Sequence, residues 1–71
     1  MEKRVMTVAL NELEMQVLEK LAERRGLTKV GVLRQALRAY QLLDERAKQG
    51  QKLFLEDPIT KEKTELALMV A

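Results

Sequence analysis

Apolar and polar residues alternate from Lys3 to Leu10, recur at helical spacing through two longer stretches, and alternate again near the C-terminus. The first alternation predicts a strand, with Val5, Thr7 and Ala9 on one face and Met6, Val8 and Leu10 on the other. Asn11 then reads as a helix N-cap, with Glu14 three residues later completing a capping-box pattern. A helix over residues 12–25 follows, its apolar positions Leu13, Val17, Leu18, Leu21 and Ala22 at helical spacing. Gly26 is placed to end it. Thr28 is a second N-cap, opening a helix over residues 29–49. Its stripe is Val30, Leu33, Leu37, Tyr40 and Leu43, with Ala36 and Ala47 filling in. Gly31, in its first turn, is a weak helix former that admits close approach of another group. Gly50 is the next stop signal. Leu53–Leu55 and the alternation Thr64, Leu66, Leu68 read as two short strands of a β-hairpin around the turn signal Asp57-Pro58. The predicted order is strand, helix, helix, hairpin, mainly α with short β.

Composition sharpens that picture. The chain has 71 residues and no Cys or His, with one Phe, one Tyr and no Trp. Its core is therefore aliphatic, and neither a disulfide nor the commonest metal ligands are present to staple a domain this small. Oligomerisation remains as the staple. Catalytic chemistry has little to draw on, because Ser is also missing and the usual nucleophile and base sets need Ser, Cys or His. Glu12 with Glu14, and Asp44 with Glu45, are too close along a helix to face each other across a site. Three glycines form no phosphate loop. No cofactor or metal is expected, and a binding protein is favoured over an enzyme.

The net charge of +2 is unevenly spread. Residues 1–38 carry eight basic and five acidic side chains, and residues 39–71 carry five and six. The N-terminal part is the cationic one. The longest apolar run, Leu66–Ala71, is far short of the roughly 20 residues of a membrane span. Lys3 and Arg4 precede no apolar signal-peptide core. No membrane association and a cytoplasmic location are the expectations.

A lone strand ahead of two helices leaves its backbone donors and acceptors in need of a partner. It can pair with the same strand of a second chain, as an intertwined homodimer with an antiparallel ribbon. It can also join its own C-terminal hairpin in a monomeric α+β domain. The sequence leaves both open.

The run Arg4-Val5-Met6-Thr7-Val8-Ala9-Leu10-Asn11-Glu12 resembles the N-terminus of ribbon-helix-helix DNA-binding proteins of the Arc, MetJ and CopG type. So do Gly26-Leu27-Thr28-Lys29 and Val32-Leu33-Arg34-Gln35-Ala36-Leu37. The resemblance covers about Lys3 to Tyr40. It implies a domain over residues 1–50 that binds double-stranded DNA as a dimer, the ribbon entering the major groove. By that resemblance Val5, Thr7 and Ala9 contact bases. Lys3, Arg4, Thr28, Lys29 and Val30 contact phosphates, the last three at the N-terminus of the second helix, where free N–H groups suit an anion. Met6, Val8, Leu10, Leu33, Leu37 and Tyr40 form the dimer core. Val5 and Ala9 stand where the family more often carries polar or basic residues, and offer apolar contact such as to a thymine methyl. The implied function is transcriptional repression by operator occupancy.

Residues 51–71 exceed what a minimal ribbon-helix-helix dimer requires. Many family members are antitoxins, which implies a second possibility: a C-terminal segment that binds a toxin or other protein. The apolar alternation is better suited to a hairpin that folds within the dimer, docking on the second helix near Leu42 and Leu43.

Overall fold

The computed structural model describes residues 3–67; Leu68 of the expected second hairpin strand lies outside them. The chain is mainly helical, with two helices and a two-stranded antiparallel sheet. Helix α1 spans Glu12–Arg25, α2 spans Lys29–Lys48, and strands β1 and β2 span Leu53–Glu56 and Lys63–Leu66. It divides into two compact units, Met1–Arg34 and Gln35–Ala71.

In the first unit, side-chain caps decide where the helices begin. Asn11 Oδ1 accepts the Glu14 N–H at 2.8 Å, and Glu14 Oε1 accepts the Asn11 N–H at 3.0 Å. This reciprocal pair satisfies two donors that α1 leaves open, and a cap of this kind contributes about 1 kcal/mol. Glu12 and Glu14 in the first turn and Arg24 and Arg25 in the last suit the helix dipole. At the C-terminus Gly26 adopts φ 64° and ψ 35°. Its N–H reaches the Glu23 carbonyl, and the Leu27 N–H reaches the Ala22 carbonyl at 2.9 Å. This is a Schellman closure, and it turns Leu27 back onto the core. Leu18, Ala22 and Val32 are the buried residues, with Leu10, Met15, Leu21 and Leu27 partly buried against them.

Two positions of the expected α1 stripe lie elsewhere. Leu13 and Val17 are 70% and 49% exposed, whereas Met15 joins the core. At 100° per residue Met15, Leu18 and Ala22 share one face, and Leu13 and Val17 share another. Helix α1 is thus apolar on two sides and buries one of them.

Lys3–Leu10, expected as a strand, carries no regular secondary structure in the single chain. Among the described residues the sheet is formed by β1 and β2. A β-ladder is a property of two strands, and alternation along one does not supply the other.

The second unit holds the rest of α2 and the hairpin. The second helix ends at Lys48 rather than Gln49, because its closing bonds run from the Gly50 N–H to Ala47 and from the Gln51 N–H to Arg46. Gly50, at φ 81°, makes that second Schellman closure possible. In the hairpin Leu53 pairs with Leu66, Phe54 with Glu65, Leu55 with Thr64 and Glu56 with Lys63. Leu53, Leu55, Thr64 and Leu66 therefore share one face, and Phe54, Glu56, Lys63 and Glu65 the other.

A carboxylate sets the hairpin register. Asp57 Oδ1 accepts the Ile59 N–H at 2.8 Å and the Thr60 N–H at 3.1 Å. The Asp57 carbonyl accepts the Lys61 N–H at 2.8 Å, and the Asp57 N–H donates to the Glu62 carbonyl at 2.9 Å. The loop so closed carries Lys61 at φ 66°. No helix among the described residues is long and apolar enough to cross a membrane.

Candidate nucleic-acid interface

The first unit contains two features suited to a nucleic acid: its N-terminal segment and the start of α2. Lys3, Arg4, Val5, Thr7 and Ala9 are all exposed, Val5 almost fully at 97%. Among the described residues, none from Lys3 to Leu10 makes a backbone hydrogen bond within the chain. Met6 and Val8, expected to face inward, are also exposed at 81% and 48%, while Leu10 is partly buried against the core. In one chain the segment therefore has both faces open, anchored at Leu10 and the Asn11 cap.

The start of α2 is built by Thr28. Its Oγ1 accepts the Gly31 N–H at 2.9 Å, and its carbonyl accepts the Val32 N–H at 3.0 Å. Gly31 is explained by this cap. A Cβ there would lie 3.2 Å from Thr28 Oγ1 and 3.5 Å from the Leu27 Cβ. The close approach that Gly31 permits is thus the chain's own capping side chain. With Gly31 engaged, the Lys29 and Val30 N–H groups remain at the positive end of the helix dipole. The first turn of α2 holds no acidic residue.

Lys29 carries a cation to the same place, with Nζ 3.5 Å from Glu19 Oε2. Both side chains are about half exposed, and exposed pairs of this kind contribute roughly 0–1 kcal/mol. A phosphate can compete for Lys29 at that magnitude. The pairing was not legible in the sequence, since Glu19 and Lys29 sit on different helices. Val30 offers only its backbone, and its side chain is 54% exposed.

The residues expected in a dimer core are open in the single chain. Leu33, Leu37 and Tyr40 are 40%, 69% and 58% exposed. They recur at i, i+4 and i+7 along α2, the spacing of one helix face. Comparison of the chain with protein-family models, with curated proteins and with solved structures finds no match.

Proposed function

We propose that the chain binds double-stranded DNA as a homodimer in the ribbon-helix-helix manner, and represses transcription by occupying an operator. One observation carries the proposal: Lys3–Leu10 is an alternating, largely exposed segment with no backbone hydrogen-bond partner among the described residues, set directly before two capped helices. Pairing with its copy satisfies the open donors and acceptors and turns Met6, Val8 and Leu10 toward the helices. Val5, Thr7 and Ala9 then line the outer face of a ribbon of a width that the major groove admits. Charge agrees, with seven basic and five acidic residues in 1–34 against six and six in 35–71. In this reading Lys3, Arg4, Lys29 and the amides of α2 hold phosphates and supply affinity, while Thr7 supplies preference among sequences.

The test is an anisotropy titration of the full chain on duplex genomic fragments at several salt concentrations. Affinity should fall with salt, with a logarithmic slope of about −0.9 per phosphate contacted. Lys29→Ala should weaken binding to all sequences and flatten that slope. Thr7→Ala should alter the preference among sequences instead. Salt-insensitive binding, or none at low salt, overturns the proposal.

A second reading takes residues 51–71 as an antitoxin-like arm that binds another protein. It is supported by Phe54, Leu55 and Ile59, which are 50%, 58% and 89% exposed on the hairpin. A partner recovered with the full chain and lost on deleting residues 51–71, with DNA binding retained, would favour it.

A further inference from the structure

Lys29 opens α2 at the end of the helix that suits a cation least, because the free N–H groups there already form the positive end of the dipole. The first turn of α2 holds no acidic residue to offset it. Its counter-ion comes from the other helix, with Glu19 Oε2 3.5 Å from Lys29 Nζ. Among the described residues this is the one ion pair between α1 and α2, and both partners belong to the first unit. The side chains are 52% and 54% exposed, so solvent and solute anions reach them. To an ammonium, a carboxylate offers the same kind of anionic oxygen as a phosphate.

We propose that Glu19 is a built-in competitor of the DNA phosphate. It holds the Lys29 ammonium in the free chain and must release it before Lys29 can bind DNA, so Glu19 sets the strength of the phosphate contact at the start of α2. The inference rests on the DNA-binding reading and adds the regulation of its site. Binding through Lys29 exchanges one exposed ion pair for another, and the contact is therefore weaker than a free lysine would make. The weakening applies to every sequence alike, because a phosphate contact carries no sequence information. The base contacts of the ribbon then carry a larger share of the binding. A dimer has two such pairs, so the effect enters twice. A pair that served only to strap α1 to α2 would behave differently: its loss would lower the melting temperature and leave DNA affinity no higher.

The test is an anisotropy titration of the full chain and its variants on the same duplex genomic fragments, at low and at physiological salt. Glu19→Gln keeps the size of the side chain and removes its charge. It should bind about three- to tenfold more tightly at low salt. The gain should shrink at higher salt, which screens the pair. Glu23→Gln removes an equal charge one turn further along α1, where no ion pair is made among the described residues. It should change affinity by less than about twofold. In a Lys29→Ala background Glu19→Gln should likewise have an effect within about twofold, because the pair is already gone. Affinity unchanged or weakened in Glu19→Gln overturns this inference and leaves the DNA-binding reading standing. So does an equal gain from Glu23→Gln or in the Lys29→Ala background. A full chain that binds no duplex at low salt overturns both.

Discussion

Asp57 shows how much one side chain can decide. Its carboxylate accepts backbone N–H groups from Thr60 and Ile59, and these hold its pKa below the ordinary 3.8. A group whose folded pKa is lowered stabilises the fold above its unfolded pKa and loses that contribution as pH falls through the folded value. The hairpin loop should therefore be closed at neutral pH and loosen below about pH 3.8. Amide exchange at Ile59 and Thr60 should accelerate there. Asp57→Asn keeps an acceptor oxygen in place and should abolish the pH response while preserving the loop, whereas Asp57→Ala should open it at every pH. Gly31 is a second case. A glycine in a first helical turn reads as a weakness or an opening for a ligand, and only the 3.2 Å approach to Thr28 Oγ1 reveals the reason.

At the scale of the element, the helices and the segment before them behave differently. A helix closes its hydrogen bonds within one stretch of chain, so caps and apolar period suffice to place it. Both helices lie where Asn11, Gly26, Thr28 and Gly50 put them, to within one residue. The segment Lys3–Leu10 before them has no such autonomy, and it finds no backbone partner among the described residues. If it forms a ribbon, proline within it should be damaging. Val8→Pro removes one N–H and introduces a ring that a paired strand does not admit. By symmetry the change enters twice, at about 1–3 kcal/mol for each bond left unmade. Self-association and DNA binding should fall together by at least tenfold, while α1 and α2 keep their helical signal at high concentration. Wild-type behaviour of Val8→Pro would mean that Lys3–Leu10 pairs with nothing.

For the molecule as a whole, the shortage of burial is the dominant fact. Three buried side chains are few for the described residues, and Leu37, Tyr40, Leu42 and Leu55 remain more than half exposed. A chain of this kind gains stability from mass action when it self-associates. Each tenfold rise in concentration should add about 1.4 kcal/mol per dimer and raise the melting temperature by roughly 3–6 °C. Thermal unfolding followed by circular dichroism over two decades of concentration checks this, and a melting temperature independent of concentration would exclude a stable dimer.

The elements governed by neighbours in the chain were legible from residue order alone. The two helices, their caps and the existence of a hairpin all follow from contacts within a few positions. The same is true of the aliphatic core and the cationic N-terminal part. The rest depended on residues brought together from a distance. Met15 rather than Leu13 faces the core because Leu10, Leu27 and Val32 happen to lie on that side of α1. Lys29 meets Glu19 across two helices, and Asp57 selects one hairpin register among several that alternation allows. Local periodicity says which faces of an element are apolar; only the folded chain says which of them it covers, and this one leaves several of them open.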